Sequence, residues 1–201
     1  MHSVFNPCVP FVEPIYEPLR PGCRIYIRGR MHGHHERDFS IELLSGPNIV
    51  MSAKFHFNHH HHHHEKGLYL NNYLNGYWGS ELWTHNPIHA HEHFTLIIEV
   101  HESHYDLIVD GCETVSFPNR PPYHFAVQGL GVRGDVHIEE IQYENFSCYD
   151  NWGGSYDFGH SGYYGYGTDS YCAPIFHENH PHRYRSRSRS RSRSYSRSCS
   201  R

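Results

Sequence analysis

Between residues 56 and 83 the chain sets imidazole, carboxamide, carboxylate and indole side chains at strand-like spacing: His56 and Asn58, then Asn71, then Trp78, Glu81 and Trp83. The first three groups donate to hydroxyls or accept from them. An exposed indole packs on C–H surface and excludes water. Together they suit a sugar, which offers a rim of hydroxyls and an apolar patch of C–H groups. The plainer alternative is an ordinary polar strand face in contact with solvent.

Other groups with chemical potential weigh less. Six consecutive histidines, 59–64, invite a metal reading, since neutral imidazole binds zinc, nickel and copper. The competing reading is an expanded polar loop, and no metal site or cofactor is assigned. Gly129-Leu130-Gly131-Val132-Arg133-Gly134 satisfies G-x-G-x-x-G, but Val136-His137-Ile138 after it is strand-like, which argues against a nucleotide site. With 23 His among many acids, His/Asp/Ser groupings arise by chance, and none has an activating context. No catalytic residue is assigned, and the chain is read as a non-enzyme.

The elements that must position residues 56–83 are strands. Phe55 and Phe57 alternate with His56 and Asn58; Leu68 and Leu70 alternate with Tyr69 and Asn71; Leu82 lies between Glu81 and Trp83. Three neighbouring strands can thus place His56, Asn58, Asn71, Glu81 and Trp83 on one surface, with Trp78 beside them. The same period of two runs through Ile25 and Ile27, Phe39 to Leu43, Phe94 to Val100, Tyr105 to Val109, and Val136 with Ile138. Turn signals separate these rows: Pro21-Gly22, Ser45-Gly46-Pro47-Asn48, Asn75-Gly76, Asp110-Gly111 and Pro118-Asn119. No segment has a convincing apolar helical period. The expectation is an all-β sandwich or barrel over residues 18–148.

The flanks differ in composition. Residues 1–17 are Pro-rich and expected to be irregular. Residues 149–182 are rich in Gly, Tyr and Ser without an aliphatic pattern, the composition of a disordered linker. Residues 183–201 form an Arg-Ser tail, expected to be extended and solvated. The net charge of −4 hides this division: all 21 acids lie in residues 1–182 against nine basic residues, and the tail adds eight arginines. The six cysteines lack a Cys-x-x-Cys pair and resemble neither a disulfide framework nor a zinc site. Asn145-Phe146-Ser147 matches a glycosylation sequon, read as chance. No apolar run reaches transmembrane length. Met1-His2-Ser3-Val4-Phe5-Asn6-Pro7 lacks the pattern of a secretory signal, so cytoplasmic synthesis is expected.

The ordered motifs resemble a galectin carbohydrate-recognition domain along most of residues 18–148. They run Leu19-Arg20-Pro21-Gly22, Phe39-Ser40-Ile41-Glu42-Leu43, His56-Phe57-Asn58, Trp78-Gly79-Ser80-Glu81 and Asn86-Pro87-Ile88. Phe94-Thr95-Leu96, Tyr105-Asp106-Leu107-Ile108-Val109-Asp110-Gly111, Phe117-Pro118-Asn119-Arg120 and Gly134-Asp135-Val136 complete the order. The resemblance implies a jelly-roll sandwich of two antiparallel sheets that binds β-galactosides on glycoproteins or glycolipids, without metal or catalysis. By position, His56 and Asn58 match the family's H-x-N and would bond galactose hydroxyls. Asn71 stands at the family's second Asn, Trp78 would stack on the ring, and Glu81 would accept a hydroxyl. Two family arginines are replaced, by His60 and Trp83. His60 could supply part of a lost donor, and Trp83 could widen the stacking surface. A hydrogen bond to a charged group is worth roughly 1.5–3 kcal/mol, so each loss weakens affinity roughly 10- to 100-fold. The expectation is weak or altered specificity.

The tail resembles the RS segments of splicing-associated proteins, which SR-type kinases phosphorylate and which contact RNA or other RS proteins. The competing expectation is therefore an intracellular interaction protein on a galectin-like scaffold, with nuclear or ribonucleoprotein association. Export without a signal peptide would favour the lectin reading. One apparent site per sandwich means that cross-linking glycans would need a homodimer or tail self-association.

Overall fold

The computed structural model describes residues 2–31, 38–57, 66–120 and 126–147. Thirteen strands cover most of them: β1 (His2–Phe5), β2 (Phe11–Pro14), β3 (Arg24–Met31), β4 (Phe39–Ser45), β5 (Asn48–His56), β6 (Gly67–Leu74), β7 (Tyr77–Trp78), β8 (Leu82–Thr84), β9 (His93–Val100), β10 (His104–Val109), β11 (Glu113–Pro118), β12 (Gly129–Gly134) and β13 (Val136–Glu144). They form two antiparallel sheets, of order β1-β13-β3-β9-β10-β11 and β2-β12-β4-β5-β6-β7, with β8 continuing the β7 edge of β6. The all-β class and the two-sheet sandwich expected from the alternation are both present.

The apolar residue of each alternating pair turns inward. Ile25, Ile27, Leu96, Ile98, Tyr105 and Leu107 of one sheet meet Phe39, Ile41, Leu43, Met51, Phe55 and Leu70 of the other. Phe39 stacks on Phe55 at 4.7 Å and on Phe94 at 5.6 Å, which braces the chain behind His56. Asn75 and Gly76 both have positive φ, the geometry of a two-residue hairpin turn, as do Asp110 and Gly111. The glycine motif is β12 itself. A Cβ at Gly134, where φ is +104°, would stand 2.4 Å from the Asp38 carbonyl oxygen.

The N-terminal segment corrects the expectation of irregular structure. β1 pairs with β13 and β2 with β12, so this segment supplies one strand to each sheet. Pro14 sits at the end of β2 and Pro7 and Pro10 lie between the strands, positions where a missing N–H breaks no central ladder. The expectations for the linker 149–182 and the Arg-Ser tail 183–201 lie outside the described residues. Among the described residues, no helix is long and apolar enough to cross a membrane, and Cys8, Cys23 and Cys112 are free.

Candidate functional site

The outer face of the seven-stranded sheet carries the polar side chains, and strand register orders them into rows. One row crosses the sheet as Arg133, Ser40, Lys54, Tyr69 and Trp83. The next runs Gly131, Glu42, Ser52 and Asn71. His56 follows Lys54 on the same face and lies opposite Gly67. His56, Asn71 and Trp83, drawn from three strands, therefore share the surface expected of them.

That surface is less open than the alternation suggests. His56 is 6% exposed and Asn71 0%, whereas Trp83 is 42% exposed. Buried polar groups need partners, and His56 has a strong one. Its Nδ1 lies 2.8 Å from Asp38 Oδ2. The same oxygen lies 3.4 Å from Lys54 Nζ, and Oδ1 accepts from the Phe57 amide at 3.3 Å. Burial pushes the Asp38 carboxyl upward, but His56, Lys54 and the Phe57 amide together hold it below its ordinary value. An ionised carboxylate only accepts, so His56 Nδ1–H donates to it. In the neutral ring Nε2 then carries the lone pair. Asn86 locks the backbone behind this pair: its Nδ2 donates to the His56 carbonyl at 3.1 Å and its Oδ1 accepts from the Ile88 amide.

Trp83 lies across Gly67. A Cβ at Gly67 would sit 2.3 Å from the indole Nε1 and 3.0 Å from the Tyr69 ring, so the missing side chain is what seats the indole beside His56. Tyr69 meets His56 edge-on at 6.1 Å. Trp78 stands at the other end of β6. It pairs with Tyr73, packs edge-on against that ring at 5.3 Å, and borders a small cluster of Val12, Leu44 and Ile49. Tyr69 and Tyr73 are four residues apart, so the two indole positions are separated by about 13 Å of strand. Asn71 lies between them. Its Oδ1 accepts from the Asn72 amide at 2.8 Å, and its buried Nδ2 has no hydrogen-bond partner. Glu81 is half-buried just before β8. Asn58 and His60 lie outside the described residues.

Two further charged groups frame the face. Glu42, wholly buried, accepts from Arg133 Nη2 at 2.9 Å and from Ser52 Oγ at 3.1 Å. Arg120, beyond β11, reaches the chain at Gly79: a Cβ there would meet Arg120 Nη1 at 2.8 Å and Asn72 Oδ1 at 2.1 Å. Asp38, Lys54, Tyr69 and Arg120 were not singled out as site residues from sequence. Lys54 and Tyr69 had a signal, since they share parity with His56 and Asn71. Asp38 and Arg120 had none, because only folding brings them near β5 and β7.

Residues 10–143 match the family model of galactoside-binding lectins. The chain is 43% identical over 180 residues to "Probable galaptin lec-8" of Caenorhabditis elegans, covering 90% of this chain and 97% of that protein. It is 39% identical over 152 residues to "Probable galaptin lec-7" of the same organism, covering 76% and 82%. Among solved structures, the C. elegans galectin LEC-6 superposes with a TM-score of 0.62 at 24% identity, over 70% of this chain and 94% of that one.

Proposed function

The chain belongs to the galactoside-binding lectin family, the galectins, and from that premise we propose that it binds glycans on the outer face of the seven-stranded sheet with an altered specificity. It is a lectin and not an enzyme, and its ligands are galactosides. The observation that carries the placement is the seat of Trp83 on Gly67, next to an imidazole whose tautomer Asp38 sets. On this reading the glycan enters at Trp83, the exposed member. Its C–H face packs on that indole, and a hydroxyl reaches the rim of the nearly buried His56 imidazole. Asn71, Glu81 and Trp78 extend the contact along β6, and Asn58 and His60 are assigned to it by the sequence motif alone.

The family's two arginine positions hold His60 and Trp83. Cations are supplied instead by Lys54, next to His56 and Asp38, and by Arg120 at Gly79. Asp38 balances the charge of Lys54, which leaves Arg120 as the cation beside the face and favours glycans carrying an anionic substituent over plain lactose. A glycan array probed with the full chain and with Trp83→Ala tests this. Selective binding of substituted galactosides, lost in the variant, is expected. Ordinary tight lactose binding, kept in the variant, contradicts it.

The tail supports a second role alongside the first. The strict Arg-Ser alternation of residues 185–194 is a substrate pattern for SR-type kinases, and phosphate would turn a cationic segment strongly anionic. Binding of RNA or RS proteins through it would be salt-sensitive. Cytoplasmic synthesis with export that bypasses a signal peptide would serve glycan binding, a nuclear location would serve the tail, and a homodimer would cross-link glycans. Imaging the full chain and a 183–201 deletion separates these: tail-dependent nuclear foci support the second role, and identical distributions contradict it.

A further inference from the structure

The back of the sandwich, the outer face of the six-stranded sheet, carries a cluster on the side opposite the proposed glycan surface. His104 and Asp106 alternate on β10 with buried Tyr105 and Leu107, so they face outward. His101 directly follows β9, and its amide donates to the His104 carbonyl across the tight β9–β10 turn at 2.9 Å. Asn119 ties this turn down: its Nδ2 donates to the carbonyls of His101 and Glu102, and its amide to that of Ser103 at 2.8 Å.

The two imidazoles flank one carboxylate. His101 Nε2 lies 3.2 Å from Asp106 Oδ2, and His104 Nε2 lies 3.4 Å from Oδ1. His101 Nε2 is sealed from solvent and, despite that short distance, makes no hydrogen bond of good geometry. Outer contacts orient the other two groups. Ser103 Oγ meets His104 Nδ1 at 2.9 Å, and Ser116 Oγ donates to Asp106 Oδ1 at 2.5 Å. Such supporting bonds fix ring tautomer and ligand orientation at metal centres.

We propose that His101, His104 and Asp106 form a zinc-type site on the face opposite the glycan surface. Ligand atoms about 2.0–2.2 Å from a tetrahedral zinc stand roughly 3.3–3.5 Å apart. Both imidazole–carboxylate separations already meet that spacing, and all three ligand atoms lie within 4.8 Å of one another. Two imidazoles with a single carboxylate suit zinc, copper or nickel rather than calcium or magnesium, which take oxygen-rich shells. The rings now stack at 4.4 Å and 8°. In that arrangement the lone pairs lie in nearly parallel, offset planes that no single ion can share, so loading turns the rings until both converge on the ion. Both side chains are partly exposed, which leaves room for that turn. The fourth position stays open to water.

The histidine tract 59–64 competes for metal, so the test works in the full chain with that tract replaced by Gly and Ser. Zinc is titrated by calorimetry, and thermal unfolding is followed with and without zinc. The tract-replaced chain is expected to bind one equivalent and to unfold at higher temperature with zinc. His101→Gln with His104→Gln should lower affinity at least 10-fold and abolish the shift. Asp106→Asn, which keeps the shape of the side chain, should weaken binding in the same direction and guards against a misfolded double variant. The proposal is overturned if the tract-replaced chain binds no zinc. It is also overturned if folded variants keep both the affinity and the shift.

Discussion

Replacing Gly67 by Ala should separate glycan binding from folding. The added Cβ would lie 2.3 Å from Trp83 Nε1 and 3.0 Å from Cδ1 of the same indole. Ordinary contact begins near 3.4 Å, so the indole must move by about 1 Å, and it can, because Trp83 is 42% exposed. Gly67 lies within β6 and is not a positive-φ glycine. Alanine there regains roughly 0.5–1 kcal/mol of the conformational cost of glycine in a strand, which offsets the displacement. The buried Tyr69 ring, 3.0 Å from the new Cβ, must also give by a few tenths of an ångström, so the net change in stability should stay within about 1–2 kcal/mol. Binding should not be spared. Aromatic packing contributes about 0.5–1.5 kcal/mol beyond the area it covers, and a displaced platform forfeits most of that. Affinity for the best array glycan should fall roughly 2- to 12-fold. Calorimetry gives the affinity and thermal unfolding the stability. Unchanged or tighter binding in a normally stable Gly67→Ala chain would refute the platform and make the indole a cover over the face.

Asp38→Asn removes the carboxylate shared by His56 and Lys54. It should cost about 1.5–3 kcal/mol in stability near neutral pH and weaken glycan binding. Because Asp38 is held below its ordinary value, its contribution is present above the unfolded value near 4 and vanishes as pH falls through the lower folded one. Denaturation of both chains across that acid range should show the difference closing. Glu13 behaves in the opposite sense. Burial pushes its carboxyl up to about 7, with His2 Nε2 3.7 Å away. The folded chain then holds a proton that the unfolded chain releases near 4.5, so stability should fall as pH rises between about 4.5 and 7. The loss should be on the order of 3 kcal/mol, and Glu13→Gln should flatten the slope. Gly134→Ala should lower the melting temperature sharply and cost more than about 2 kcal/mol, because the new Cβ meets backbone at 2.4 and 2.6 Å in a positive-φ conformation.

Strand alternation made the sheet faces legible. Phe55 and Phe57 went inward and His56 outward because a period of two admits no other arrangement once one face is core. The Asn75-Gly76 and Asp110-Gly111 turns followed from the ease with which those residues adopt positive φ. What sequence could not supply were contacts made only by folding. Asp38 reaches His56 across a strand pair, and Arg120 arrives at Gly79 from the end of the other sheet. Parity also says which way a side chain points but not whether it is covered, so His56 and Asn71 read as exposed and proved buried. The four-residue strands β1 and β2 were hidden because their prolines lie at or between strand ends, where they read as breakers.

The most direct test is an NMR titration of the full chain with a galactoside, read at the indole N–H signals. The chain has three tryptophans, Trp78, Trp83 and Trp152. The signals of Trp83 and Trp78 should move together and saturate with one dissociation constant, with Trp152 unmoved. Saturable binding that leaves both Trp78 and Trp83 unmoved would contradict a glycan site on the seven-stranded sheet.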